Sequence, residues 1–359
     1  MEQDGITQLE SIASSFFIKI QSAFAKASIP NKIKVHYFEI GGIPVCIKFL
    51  NATIEKEILP ALAHVAIPST TPELTIYLGD STSSDLKMPP PPWKEDAYLA
   101  RSEIKDFNNE KYQFGYDVWG GTLHLLDKQN NIGFFWTNDI TKLPIYEKGS
   151  PLRMLLNWWL HNKNRQFLHA GAIGNEHGGI ILVGKSGSGK STTSLACLHS
   201  PLLYASDDYC LVHYADKPAI YSIYNTAKLV KGQLDRNFAE SLSSMEDRDD
   251  SDKEKTLLFL HPTFSHKLIR SFPLKAIFIP MITGKKETFL KPASKLEALK
   301  ALAPSTIMQL ANMERKAFTN MATFVKQVPT FHLMLGTELQ EIPKIISQAL
   351  DKLCNPLEK

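Results

Sequence analysis

The sequence predicts an α/β fold, and three observations predict it. Strand-like apolar runs alternate with helical ones through the second half of the 359 residues. Within that half, the run Gly179–Val183 breaks into a glycine-rich stretch and then into Thr192–Leu198, the order of a buried strand, a tight loop and a helix. Before residue 150 the chain is instead a series of short strands separated by turn residues, which makes a smaller β-rich α+β domain. The expected domains are 1–150 and 151–359, and a chain that is 43% hydrophobic can bury the core this needs.

From Thr7 to Ala27, residues Leu9, Ile12, Phe16, Phe17, Ile20, Ala23 and Phe24 recur at helical spacing and predict an amphipathic helix. Strands follow at Lys32–Ile40 and Ile43–Leu50 around a Gly41-Gly42 turn, and a third at Leu74–Leu78. Pro89–Pro92 is too stiff and too poor in backbone donors for a helix or central strand, so it is an exposed loop, with a proline-recognition ligand as the alternative. Strands at Tyr112–Tyr116, Gly121–Leu126 and Gly133–Trp136 precede a helix, Pro151–Leu160, whose Trp158 and Trp159 are expected in the core. The second half then offers strands at Gln166–Gly174, Gly179–Val183, Leu202–Ala205, Tyr209–His213, Leu274–Pro280 and Thr330–Leu335. Its helices are expected at Lys295–Leu302, Ser305–Lys326 and Leu339–Leu353. The charged run Glu246–Glu254 is a solvated loop in the plainer reading and a mobile lid in the functional one.

Composition excludes several classes. A net charge of +3 is too small to argue for nucleic acid or an anionic membrane as partner. The four cysteines, Cys46, Cys197, Cys210 and Cys354, form no C-x-x-C pair, so neither a zinc site nor a disulfide scaffold is expected. With no secretory signal and no long apolar span, the expectation is a reduced, cytoplasmic protein with no membrane segment, free to form a homo-oligomer. Asn51-Ala52-Thr53 matches a glycosylation sequon, which carries no meaning in that compartment.

Residues 184–191, Gly184-Lys185-Ser186-Gly187-Ser188-Gly189-Lys190-Ser191, complete the pattern G-x-x-x-x-G-K-S/T between strand and helix. Glycines let successive backbone N–H groups close around phosphate oxygens, and the start of the helix adds partial positive charge. Gly184, Ser186, Gly187, Ser188, Gly189, Lys190, Ser191 and Thr192 are therefore expected to bind a nucleoside triphosphate such as ATP. Lys190 would reach the β- and γ-phosphates, and the Ser191 hydroxyl would help hold Mg²⁺.

Two further segments add titratable groups. His169 stands in Phe167-Leu168-His169-Ala170-Gly171, upstream of the loop, and Asp207-Asp208 follow the apolar run Leu203–Ala205. Adjacent carboxylates after such a strand lie at the sheet edge where these folds bind ligands; one could face a metal and the other accept a proton from a hydroxyl. The alternatives are a core histidine and a turn-forming aspartate pair.

At this point the chain resembles the HPr kinase/phosphorylase and phosphoenolpyruvate-carboxykinase-like superfamily, on the ordered segments LHAGAIG, GKSGSGKST and YASDDYCLV. The resemblance implies an HPr-kinase-like P-loop domain and Mg²⁺-ATP-dependent transfer of a phosphoryl group to a hydroxyl acceptor, a serine of a peptide or protein or a small molecule. It implies that His169 orients Asp207 as base and that Asp208 lies near the metal. Weaker similarity runs through YNTAKL (Tyr224–Leu229), PLKAIFIP (Pro273–Pro280), LKALAPSTIMQL (Leu299–Leu310) and VPTFHLMLGTELQEIP (Val328–Pro343), for a total span of about 150–350. No counterpart of the E-I-R-G stretch of HPr kinases follows the aspartates, so the resemblance does not extend to HPr as acceptor or to the reverse reaction. The region before residue 150 is left as the possible acceptor-recognition part. Lys228 is expected to be a surface lysine on a strand, with phosphate or substrate contact as its alternative, and Arg270 is a candidate for transition-state charge. A nucleotide-binding switch with slow hydrolysis and a ketoacid carboxykinase are the competing classes.

Overall fold

The computed structural model describes residues 2–99, 102–230, 255–309 and 314–354, and the expected lid at Glu246–Glu254 lies outside them. The protein is mixed α/β, with parallel and antiparallel pairing, and divides into two compact units. The first comprises Met1–Pro60 and Ala66–Lys163, and the second Ala61–Val65 and Asn164–Lys359. Among the described residues no helix is long and apolar enough to cross a membrane.

In chain order the first unit's elements are α1 (Glu2–Ser28), β1 (Lys34–Ile40), β2 (Ile43–Phe49), α2 (Ala52–Leu62), β3 (Ala66–Ile67), β4 (Leu74–Asp80), α3 (Ser81–Ser84), β5 (Tyr112–Asp117), β6 (Thr122–Asp127), β7 (Ile132–Thr137), α4 (Ile145–Gly149) and α5 (Arg153–Leu160). Its seven strands lie in the order β3-β1-β2-β4-β7-β6-β5. The helical stripe of α1 is buried as its spacing predicts, with Phe17 stacked on Tyr112 and Phe24 tilted against Phe134, both at 4.9 Å between ring centroids. Helix α2 was not legible from periodicity alone. Asn51 starts it: its Oδ1 accepts from the Thr53 and Ile54 N–H groups at 3.0 and 3.1 Å, so the sequon asparagine serves as a helix cap. Helix α5 belongs to this unit. A Cβ on Gly115 would meet Met154 Sδ at 2.6 Å, and one on Gly133 would meet Leu155 Cδ1 at 2.8 Å, so glycines on β5 and β7 let the helix lie close to the strands.

The second unit continues with β8 (Arg165–His169), β9 (Gly171–Asn175), β10 (Gly178–Leu182), α6 (Lys190–Ala196), β11 (Leu203–Ser206), β12 (Tyr209–His213), β13 (Ala219–Tyr221), β14 (Thr226–Val230) and β15 (Lys255–Phe259). It closes with β16 (Ser271–Ile282), β17 (Phe289–Pro292), α7 (Lys295–Gln309), α8 (Glu314–Gln327), β18 (Thr330–Leu335) and α9 (Glu341–Cys354). A nine-stranded sheet runs β11-β9-β10-β16-β13-β12-β8, with β18 beside β16 and β17 beside β18, and β14 pairs with β15 separately. β10, β16 and β18 are parallel. Alternate residues feed two cores, as a period of two requires: Ile181 and Ile277 pack with Leu302 and Phe324, whereas Ile180, Leu182 and Phe278 pack with Ile342 and Ile346.

Two expected elements differ. Gln166–Gly174 is two strands, because Ala170 carries the chain from pairing with β12 to pairing with β10 and β11. The expected helix break near Pro304 does not occur, and α7 runs through it to Gln309.

Candidate functional site

The loop that follows β10 starts as an extension of the sheet, with Val183 N–H donating to Phe278 O at 2.9 Å. It then turns through positive-φ backbone that favours glycine. Gly187 has φ +76° with open space where a Cβ would stand, and Gly189 has φ +101° with Leu335 Cδ1 2.4 Å from that position. Ser186 is exposed, Ser188, Ser191 and Thr192 are half-buried, and the Ser188 Oγ is buried without a hydrogen-bond partner among the described residues. Lys190 opens α6 and is itself buried; its Nζ donates to Gly184 O at 2.7 Å and Lys185 O at 3.2 Å, so its charge is held against the loop backbone. The result is a short concave backbone segment with a lysine at its floor, a shape suited to phosphate oxygens.

The acidic pair stands where two strands change partners. β9 pairs with β11 and β8 with β12, with Tyr209 opposite His169. The chain therefore steps sideways at Ala170 and again at Asp207-Asp208. Ser206 Oγ donates to Ala170 O at 3.1 Å, and Ser194 Oγ on α6 donates to Ser206 O at 3.4 Å, which ties this step to the helix after the loop.

The two carboxylates face different surroundings. Asp207 is 2% exposed, and its Oδ2 accepts the Lys228 backbone N–H at 2.9 Å. Burial raises its pKa to about 6, while the Lys228 N–H and the Ser191 hydroxyl pull the other way. Among the described residues no group closes a hydrogen bond of good geometry on its Oδ1. Asp208 is more open, and two basic side chains flank it: His169 Nε2 at 2.7 Å from Oδ1 and Lys228 Nζ at 2.6 Å from Oδ2. Burial alone would raise its carboxyl, but the His169 hydrogen bond and the Lys228 charge outweigh it and hold it well below the usual carboxylate range.

This corrects one expectation. His169 bonds Asp208 and not Asp207, because Asp208 immediately precedes Tyr209, which pairs with His169 at the end of β8. Lys228 is also more than a surface lysine. Its backbone holds one aspartate and its side chain the other, and β14 is fixed toward α6 by Ala227, which packs with Leu195 and Leu198, and by Tyr204 Oη, which donates to Thr226 O at 2.6 Å. The alternation Thr226-Ala227-Lys228-Leu229 was the available signal, since it sets Lys228 on the face opposite the core residues. Arg270 is exposed; its carbonyl accepts from Ser222 N–H at 2.8 Å and its charge acts on His64. It is not among the groups that set the state of Asp207 or Asp208.

Among the described residues no three His, Cys, Asp or Glu side chains gather as a metal cage. The donors present suit a hard cation shared with phosphate: Mg²⁺ is commonly held by one or two carboxylates plus phosphate oxygens, and Asp207, with the Ser191 hydroxyl beside it, fits that need.

No protein-family model and no curated protein matches the chain. Among solved structures, the HPr(Ser) kinase/phosphatase from Coxiella burnetii is a neighbour at 9% identity and a TM-score of 0.28, covering 52% of this chain and 94% of that one. A likeness that slight carries no weight for function, and the residues carry the reading below.

Proposed function

We propose that the chain is a phosphotransferase that moves the γ-phosphoryl group of Mg²⁺-ATP to a hydroxyl, that of a serine in a peptide or protein. The observation that supports this best is the pair of adjacent carboxylates beside the glycine loop, Asp207 raised by burial and Asp208 held low by His169 and Lys228. A binding module has no need of a second, separately tuned carboxylate there.

In this reading the loop N–H groups and Lys190 bind the phosphates, and Ser191 and Asp207 hold the metal side. The metal, when bound, would neutralise charge on the β- and γ-phosphates. Asp208 orients the acceptor hydroxyl and receives its proton late, once the new O–P bond has formed and the γ-phosphorus has left the β–γ bridging oxygen. A carboxylate this acidic acts chiefly by orientation, which suits a transition state that needs little early proton removal. His169 and Lys228 keep Asp208 ionised and in place. The roles of the two aspartates are thereby exchanged relative to the sequence-based expectation.

The test is to incubate the chain with Mg²⁺-ATP and serine-containing peptides, proteins and small alcohols, and to look by mass spectrometry for one added phosphoryl group. Transfer to serine supports the reading. Hydrolysis of ATP with no phosphorylated acceptor would sink it in favour of a nucleotide-driven switch.

A further inference from the structure

The sheet order sets two different surfaces on either side of the loop. β9 and β11 lie on one side of β10, and the acidic pair follows β11. On the other side β16 and β18 run parallel to β10 and end in apolar residues, with Ile282 opposite Leu335 in register. Pro280 and Ile282 share one face of β16, two residues apart, and it is the face toward the loop. A side chain at Gly189 would meet Leu335 Cδ1 at 2.4 Å, Ile282 Cγ1 at 3.8 Å and Pro280 Cβ at 3.9 Å.

Leu335 is buried, but Ile282 is 69% exposed. A large aliphatic side chain left in water directly beside a phosphate-shaped loop is a surface that a ligand can cover with gain. The hydroxyl next in sequence is already engaged: Thr283 Oγ1 donates to Leu335 O at 2.9 Å and accepts from Lys285 N–H at 3.1 Å. The surface therefore offers flat apolar contact and fixed backbone.

We propose that Ile282, with Pro280 and Leu335 beside it, is the seat of the donor's nucleobase. The inference rests on residues 184–191 binding a triphosphate. A triphosphate laid across the loop with its γ end toward Asp207 and Asp208 has its α end toward β16, and the base that follows then covers Ile282. The acidic pair and the apolar seat thus define the two ends of one donor, and Gly187 and Gly189 lie between them.

Calorimetric titration of the full chain in Mg²⁺ with ATP and with inorganic tripolyphosphate tests this, in the parent, Ile282→Ser and Ile282→Leu. The serine variant is neutral and exposed, so it neither repels phosphate nor threatens the fold. ATP affinity should fall about tenfold in Ile282→Ser and stay near the parent value in Ile282→Leu, with tripolyphosphate affinity unchanged in both. Unaltered ATP affinity in Ile282→Ser overturns the seat. A parent that binds tripolyphosphate as tightly as ATP also overturns it while leaving the loop's role intact, and a parent that binds neither removes both.

Discussion

Glu147 on α4 and Asp207 after β11 are both buried carboxyls, one in each unit, and burial raises both, to about 7 and about 6. Their surroundings differ. Glu147 sits among other buried polar groups of the first unit: the Arg153 charge opposes its rise, the Asp117 charge adds to it, and its Oε2 has no hydrogen-bond partner among the described residues. Asp117 in turn is occupied, accepting from Tyr146 Oη at 2.9 Å and Trp119 N–H at 3.1 Å, and His124 nearby is held neutral by burial, its pKa lowered to about 4. Asp207 instead adjoins a loop with a buried lysine and an open glycine, and its neighbour Asp208 is kept ionised by two further side chains. A shifted carboxyl alone therefore does not distinguish a buried structural group from a candidate ligand site; the glycine loop and its lysine beside Asp207 are what set it apart.

The largest effect that would break this contrast is at Lys190. Replacing it with alanine removes the charge proposed to face the phosphates, so stabilisation of the chain by Mg²⁺-ATP in a thermal melt should vanish with the unliganded fold kept. A variant stabilised as strongly as the parent would remove the loop from the site.

Next comes Asp208. Asp208→Asn keeps the shape of the side chain and loses its charge, so ATP binding should persist while phosphoryl transfer to serine falls by about 10²–10⁴-fold. His169→Ala and Lys228→Met should cost less, because each leaves the other partner on Asp208. Equal transfer by Asp208→Asn and parent would exclude it as the group that receives the proton.

The smallest effect concerns stability in the first unit. Because the folded pKa of Glu147 lies above the ordinary 4.5, the protonated form suits the fold below about pH 4.5 and a penalty builds as pH rises through about 7. Glu147→Gln removes that penalty. Urea denaturation should find the variant more stable than the parent at pH 8, by on the order of 2 kcal/mol, with the gap shrinking toward pH 5. A gap that is absent or constant with pH would show that Glu147 does not titrate there.

Much of the fold was legible in local pattern. The stripe of α1, the strands β5 to β7 and the strand-loop-helix order at residues 178–196 all follow from periodicity and glycine placement. What local pattern lacks is partner choice. The switch of strand pairing at Ala170, and hence the approach of His169 to Asp208, depends on which distant strands lie alongside. Lys228 entered the site for the same reason, since nothing within Thr226–Leu229 says that its strand lies by α6. Helix α7 outlasts Pro304 because its apolar residues Ala298, Leu302 and Ala303 are buried against the sheet, a tertiary gain that outweighs local propensity.

The contrast between the two buried carboxyls is tested most directly by measuring ATP affinity with Mg²⁺ and with a chelator in the parent, Asp207→Asn and Glu147→Gln. Mg²⁺ should tighten ATP binding in the parent and equally in Glu147→Gln, and should bring no gain in Asp207→Asn. A full Mg²⁺-dependent gain in Asp207→Asn, or its loss in Glu147→Gln, would contradict the placement of the metal and the triphosphate at the acidic pair of the second unit.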